Sequence, residues 1–159
     1  MFQLKNFKKK KISKLHLLKI CIWYLINNLI IYSFIPSSKL RIFLLKLFGA
    51  SIGNNVIMHP YTNIKYPWKF KIGDNSWIGA RVWIDNIETV EIGNNCCISQ
   101  GVYFCTGNHN YKKQNFELIA EKIIVGNNSW IGAKSIISPG VVIDENTIVK
   151  LNSMISKRN

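Results

Sequence analysis

The chain has 159 residues, of which 48% are hydrophobic and 18% charged. This composition supports one domain with a buried core and argues against disorder. The 21 basic residues outnumber the 8 acidic ones, so the net charge is +13. The excess lies at one end, because residues 1–50 carry ten basic residues and no acidic one, and the first carboxylate is Asp74. We therefore predict a basic N-terminal arm, residues 1–50, and a nearly neutral domain, residues 51–159. Nucleic-acid binding by the whole chain is disfavoured.

Cysteine and histidine are too few and too scattered for a disulfide framework or a metal cluster. The sequence has four cysteines and three histidines, with no C-x-x-C pair. We predict no metal, a reducing compartment and a cytoplasmic location, at the inner face of the cell membrane if the arm binds lipid.

The first part of the arm is basic and then apolar. Six lysines fall within residues 5–14, and an apolar stretch covers residues 17–35. That stretch is long enough to cross a membrane. The amides of Asn27 and Asn28 in its middle argue against a lone span, because unpaired amides are costly in hydrocarbon. No small-x-small cleavage site follows, which disfavours a signal peptide.

A second helix is predicted to begin at Ser37 or Ser38, either of which can cap it, and to stop at Gly49. Its apolar stripe comprises Leu40, Phe43, Leu44, Leu47 and Phe48, with Lys39, Arg41 and Lys46 off the stripe. Two interpretations remain open. The helix pair is either an amphipathic anchor on an anionic membrane or a cap that packs on the domain or a neighbouring subunit.

From Ile52 onward the sequence repeats every six residues. Fifteen lead positions are apolar: 52, 58, 64, 72, 78, 84, 92, 98, 104, 125, 131, 137, 143, 149 and 155. Six residues is neither a helical nor a strand period, and Gly and Asn recur where tight turns are needed. Short strands stacked in coils satisfy this pattern, so we predict an all-β parallel solenoid.

Three units per coil give five coils: 52–69, 72–89, 92–109, 125–142 and 143–159. Residues 110–124 form a loop insertion between the third and fourth coils. The handedness of the solenoid does not follow from this arithmetic.

The unit Ile/Val-Gly-x-x-small-x resembles that of the bacterial hexapeptide-repeat acyltransferases. Within that family, residues 98–111, with the element Thr106-Gly-Asn-His109, are similar to the colanic acid and exopolysaccharide biosynthesis acetyltransferases. The resemblance extends to Trp83-Ile-Asp-Asn86 and Leu47-Phe-Gly-Ala50. It implies a left-handed β-helix, a homotrimer, acetyl-CoA as co-substrate without a metal, and a sugar or lipid-linked glycan as acceptor.

His109 is the candidate catalytic base. It is the only histidine in the four later coils and stands where the loop insertion leaves the solenoid. An imidazole can accept the proton of an acceptor hydroxyl at neutral pH. The plainer alternative is a turn residue in a polar corner. Asp85 and Asn86 in the preceding coil, and Tyr111 in the loop, are candidate acceptor-binding residues, although a turn role is equally open to Asn86.

The resemblance also implies a coenzyme groove between neighbouring solenoids, near the C-terminal coils. By position, Gly132 and Ala133 match a contact to the pantetheine arm, and Ser156 and Lys157 match residues near the nucleotide end. The chain departs from the family at Lys150 and Leu151, where relatives usually carry a Gly-Ala pair.

We predict an O-acetyltransferase that moves an acetyl group from acetyl-CoA to a sugar hydroxyl in exopolysaccharide, capsule or surface-glycan biosynthesis. The alternative is a truncated or inactive repeat protein that acts as a membrane-associated binding or scaffold module. A solenoid carbonic anhydrase is disfavoured, because it would need three metal-binding histidines.

Overall fold

The computed structural model describes residues 2–7 and 12–157. The lysine run at 8–11, part of the predicted basic arm, lies outside the described residues. Helix α1 covers Lys14–Ile26 and continues as a π-helical turn over Asn27–Ile31, and helix α2 covers Ser38–Leu47. The strands are β1 Ser51–Ile52, β2 Ile57–Met58, β3 Asn63–Ile64, β4 Phe70–Ile72, β5 Trp77–Ile78, β6 Trp83–Asp85, β7 Val90–Ile92, β8 Cys97–Ile98, β9 Tyr103–Cys105, β10 Gly107–His109, β11 Leu118–Ala120, β12 Ile123–Val125, β13 Trp130–Ile131, β14 Ile136–Ile137, β15 Val142–Ile143, β16 Ile148–Val149 and β17 Met154–Ile155.

The short strands stack into three parallel sheets, which form the three faces of a solenoid. The first face is β1-β4-β7-β12-β15, the second is β2-β5-β8-β13-β16 and the third is β3-β6-β9-β14-β17. Each coil contributes one strand to each face. The five predicted coils are confirmed, and the fold is the predicted left-handed parallel β-helix.

The lead residues of the repeat form the core. On the second face, Met58, Ile78 and Ile98 stack in register, and each is almost fully buried. The residue before each of them points outward, so a two-residue strand is enough to separate core from surface. A fully buried side chain of this size stabilises the fold by about 1.5–3 kcal/mol, and each further coil adds such side chains to the core.

The tight turns at the corners of the solenoid explain why asparagine and a small residue recur in the repeat. Asparagines with φ between 53° and 60° occupy corner after corner, because this residue type tolerates the left-handed backbone: Asn55, Asn75, Asn95, Asn128, Asn146 and Asn152. The small fifth position serves the interior. The Ser76 hydroxyl donates to the Gly93 carbonyl at 2.9 Å and accepts from the Cys96 amide at 3.0 Å, so it joins consecutive coils.

Helix α1 covers the exposed end of the third face. The Trp23 indole donates to the Ile64 carbonyl at 2.8 Å, and the Asn27 amide donates to the Asn63 side chain at 2.9 Å. β3 is the terminal strand of its sheet, with backbone groups that the solenoid itself leaves unpaired. The buried Asn27 amide, which the sequence marks as an obstacle to a membrane span, is therefore satisfied by the first coil.

Helix α2 begins as predicted, with the Ser37 hydroxyl accepting from the Leu40 amide at 3.2 Å. Its packed side differs from the predicted stripe. Arg41 and Leu45 are fully buried, whereas Phe43 and Leu47 are exposed. The prediction placed Arg41 off the buried side, and it is wrong. Arg41 is buried because it binds carbonyls of the turn that precedes α2.

The Arg41 guanidinium binds four carbonyls of the π-helical turn and the bend that follows it, of which those of Ser33 and Ser37 also accept backbone amides. It donates to the Ile31 carbonyl at 3.1 Å, the Ser33 carbonyl at 3.0 Å and the Ser37 carbonyl at 3.2 Å, and it also contacts the Ile35 carbonyl. Burial lowers the pKa of Arg41. One planar group thus satisfies four acceptors.

The loop insertion is predicted at residues 110–124, but the chain already leaves the solenoid at β10, Gly107–His109. β10 leaves the third coil and pairs antiparallel with β11, with Gly107 opposite Ala120 and His109 opposite Leu118. The solenoid resumes at Ile123, which pairs with Val90 on the first face. The six-residue pattern cannot locate these bounds, because β10 and β11 pair with each other and not with neighbouring coils.

Replacing Arg41 with Met should lower the free energy of unfolding by about 3 kcal/mol, because several buried carbonyls lose their donor. Urea denaturation measures the change. Lys46→Met, on an exposed side of the same helix, is the matched control and should unfold at nearly the wild-type midpoint. Equal midpoints for Arg41→Met and the wild type would contradict the role of this side chain.

Candidate active site

His109 lies at the end of β10, on the hairpin that projects from the third coil. Its ring stacks on Phe116 with a centroid distance of 4.3 Å and an interplanar angle of 2°, and Phe7 contacts it edge-on at 5.4 Å. The imidazole is half-buried. Two aromatic rings therefore fix its plane, which a turn residue in a polar corner would not need.

One hydrogen bond sets the tautomer of His109. Its Nδ1 atom lies 2.8 Å from the Phe116 carbonyl oxygen. A carbonyl can only accept, so Nδ1 carries the hydrogen, and in the neutral imidazole Nε2 is left as the proton acceptor. This is the tautomer that a general base acting through Nε2 requires.

The Phe116 backbone has a φ of 47°, in the left-handed region that bulky residues rarely adopt. This conformation costs about 1–3 kcal/mol, so the surrounding contacts must hold it. It turns the Phe116 carbonyl toward the imidazole while the ring of the same residue stacks on it. No sequence pattern marks this backbone conformation.

The first residues of the chain pack on the same hairpin. Phe2 stacks on Phe116 at 4.4 Å, and the Gln3 amide donates to the Gln114 carbonyl at 3.0 Å. Phe7 completes an aromatic cluster, defined here as Phe2, Phe7, His109 and Phe116. The sequence gave no signal for this contact, because it joins residues about a hundred positions apart.

Asp85 lies on β6, one coil below the point where β10 departs. Its carboxylate accepts from Lys65 at 2.8 Å and from the Tyr103 hydroxyl at 3.4 Å. Burial is the main cause that raises the pKa of Tyr103, and the neighbouring Cys105 and Asp85 raise it further. This phenol therefore stays neutral at physiological pH. Asp85 is thus a fixed and partly buried anion, and its role toward an acceptor stays a prediction.

Asn86 does not fit the predicted acceptor-binding role. The residue is fully buried, its amide donates to the Tyr66 carbonyl at 2.7 Å, and its side-chain oxygen accepts from the Tyr66 amide at 2.9 Å. Both ends of the side chain are used by one backbone unit of the first coil. Asn86 therefore joins two coils, the structural alternative that the sequence left open.

Thr106 fixes the start of the excursion. It is fully buried, its hydroxyl donates to the Asp85 carbonyl at 3.0 Å, and it accepts from the Glu88 amide at 2.9 Å. The threonine of the Thr-Gly-x-His element thus anchors the hairpin base to the coil that carries Asp85. Tyr111 lies further out, in an exposed position near the hairpin tip, and stays a candidate acceptor contact.

Gly132 and Ala133 line a groove of about 580 Å³ at the corner between the second and third faces. Lys150 and Leu151, where the chain departs from the family pattern, line it too. The Trp130 indole forms part of the wall and donates to the Ser99 hydroxyl at 2.8 Å. The predicted pantetheine contacts therefore lie in a largely apolar channel with one lysine.

Ser156 and Lys157 line a different groove, of about 530 Å³, together with Gly140 and Asp144. Lys157 pairs with Glu121, just after β11, at 2.9 Å. Ser156 and Lys157 follow β17, a third-face strand, so they share the solenoid edge from which the His109 hairpin leaves.

One chain therefore divides the predicted site between two edges of a prism. His109, Asp85, Ser156 and Lys157 follow or lie in third-face strands, whereas Gly132 and Ala133 follow a second-face strand. Within residues 2–7 and 12–157 there is no group of three histidine, cysteine or acidic side chains that could hold a metal ion.

A family model described as the hexapeptide repeat of succinyl-transferase matches residues 70–104 and 122–157. The chain is 36% identical over 142 residues to the Escherichia coli (strain K12) protein named colanic acid biosynthesis acetyltransferase WcaF, covering 88% of this chain and 78% of the relative. It is 32% identical to the galactoside O-acetyltransferase of the same organism over 72% of this chain and 58% of that protein.

Solved structures share the fold. A galactoside acetyltransferase in complex with coenzyme A superposes with a TM-score of 0.80 at 24% identity, covering 97% of this chain and 79% of that one. A maltose O-acetyltransferase from Clostridium difficile 630 superposes with a TM-score of 0.76 at 20% identity, covering 91% and 79%. The repeat, the coil count and the sequence identity agree, and the chain belongs to the hexapeptide-repeat acetyltransferase family.

Proposed function

We propose that this acetyltransferase transfers the acetyl group of acetyl-CoA to a sugar hydroxyl of a surface or extracellular glycan, with His109 as general base. The observation that carries the proposal is the bond between His109 Nδ1 and the Phe116 carbonyl, which leaves Nε2 as the acceptor. The sugar class follows the names of the relatives, one a galactoside O-acetyltransferase and one a colanic acid biosynthesis acetyltransferase.

In this mechanism Nε2 takes the proton of the sugar hydroxyl as its oxygen attacks the thioester carbonyl carbon. A tetrahedral oxyanion forms, which backbone N–H groups at the corner would stabilise. The carbon–sulfur bond then breaks, and the imidazolium returns its proton to the leaving thiolate. Asp85 and Tyr111 are the candidate contacts to the sugar, and no covalent enzyme intermediate is needed.

The coenzyme would lie in the groove with Gly132 and Ala133, and its nucleotide end would reach Ser156 and Lys157. Since these pairs occupy two edges of the prism, we propose a homotrimeric ring in which one copy supplies His109 and the next copy supplies the groove. We also propose the predicted cytoplasmic location, which acetyl-CoA as co-substrate favours.

His109→Ala should lower kcat by about 10²–10⁴-fold, the usual contribution of a general base. Acetyl transfer to sugar acceptors, followed by thiol release, measures it. His59→Ala removes an exposed imidazole from the solenoid and is the control. Undiminished activity in His109→Ala, with the fold intact by thermal denaturation, would end the assignment.

Ala133→Trp should fill the groove and raise the Kd for coenzyme A about tenfold or more, as measured by isothermal titration calorimetry. Ala80→Trp places the same side chain at the equivalent corner of the second coil, outside the groove. Equal affinity of Ala133→Trp and Ala80→Trp for coenzyme A would contradict this position of the coenzyme.

Mixing the two impaired variants, at an acetyl-CoA concentration well below the Kd of Ala133→Trp, tests the shared site. In a ring of three, any mixed trimer of His109→Ala and Ala133→Trp chains has one junction where an intact His109 meets an intact groove, so a mixed trimer should regain about one third of wild-type activity, and an equal co-expression, in which about a quarter of the trimers are unmixed, about one quarter. A site contained within one chain would give no recovery, and a binding module without activity would give none in the wild type either.

A further inference from the structure

Helix α1 and the π-helical turn that continues it are mostly apolar but are covered on only one side. Their packed side carries Trp23, Asn27 and Ile31, which are buried against the first coil. On another side, apolar residues recur at alternating spacings of three and four and form what we call the outer stripe: Leu15, Leu18, Ile22, Leu25 and Leu29. All five are exposed, and Leu25 and Leu29 are 66% and 70% exposed.

A helix that is apolar all round normally lies in a protein interior or in lipid. Among the described residues, the segment Lys14–Ile31 is long and apolar enough to cross a membrane, and only 17% of it is buried. A continuous apolar stripe of this length on the surface marks a binding site. The partner must therefore be apolar where it meets the outer stripe.

The charge around the outer stripe selects the partner. The charged side chains of α1 and α2 that reach the surface are all basic, namely Lys14, Lys19, Lys39 and Lys46, and four more lysines precede α1 at positions 8–11 in the sequence. The chain has no carboxylate before Asp74. If the outer stripes of two copies paired with each other, these lysines would meet without a carboxylate in either arm to balance them. An anionic lipid surface supplies both the apolar layer and the negative charge.

The contacts of α1 also fix how it would meet the lipid. Trp23 and Asn27 hold the helix along β3 by hydrogen bonds to Ile64 and Asn63. A bilayer-spanning orientation would bring the polar corners of the first coil into hydrocarbon, which is costly. We infer that α1 lies flat in the interface of an anionic membrane, with the outer stripe in the acyl region and its packed side still on the solenoid.

Sedimentation of the full chain with extruded vesicles tests this inference. The protein should bind vesicles of phosphatidylcholine mixed with phosphatidylglycerol, and binding should weaken as salt is raised, because the electrostatic part is screened. The double variant Leu25→Gln/Leu29→Gln should partition at least about tenfold less, since two side chains lose their apolar burial. Circular dichroism checks that the helices remain.

The matched control is Val142→Gln/Met154→Gln, which removes two apolar side chains of similar exposure, 61% and 72%, from the solenoid surface. It should bind the mixed vesicles as the wild type does. The inference is overturned if the wild type does not bind the mixed vesicles or if both double variants lose binding equally. A lower oligomer mass for the Leu25/Leu29 variant, without lipid binding by the wild type, would assign the stripe to a second copy instead.

Discussion

Backbone pairing between successive coils is the constraint on which the rest of the structure depends. Each two-residue strand has too few groups to form a stable sheet with a single neighbour, so its hydrogen bonds become useful only when the coils above and below repeat the same register. Stacked isoleucines such as Ile78 and Ile98 then bury a continuous apolar column. Any departure from the repeat must either leave the column undisturbed or occur at a coil boundary.

The same constraint leaves the two terminal strands of each sheet with an unpaired edge, and the N-terminal arm covers groups of β2 and β3 at the first coil. Trp23 and Asn27 satisfy backbone and side-chain groups at β3, and the Ser38 hydroxyl accepts from the Met58 amide of β2 at 2.9 Å. Arg41 in turn stabilises the bend that joins the two helices. The arm is therefore part of the folded unit, while its outer stripe remains open to a further partner.

The proposed base, His109, lies at the largest break in the repeat. Thr106 ties the base of the excursion to the preceding coil, and β10 and β11 support each other outside the solenoid. At the tip of β10, the unusual backbone of Phe116 presents a carbonyl to His109. A regular solenoid holds every corner in the same conformation, so an imidazole with a fixed tautomer needs an element that the repeat does not dictate.

The amino-acid sequence by itself determined the solenoid, its five coils and the inward position of the lead residues, because a six-residue period fits no other regular structure. It also limited the helix cap to Ser37 or Ser38 and identified His109 as a candidate. Tertiary structure alone decided that Arg41 is buried, that Asn86 binds the Tyr66 backbone and that Phe2, Phe7 and Phe116 meet the hairpin. These depend on contacts between residues distant in sequence, or on unpaired carbonyls created by a π-helical turn, and neither leaves a periodic trace.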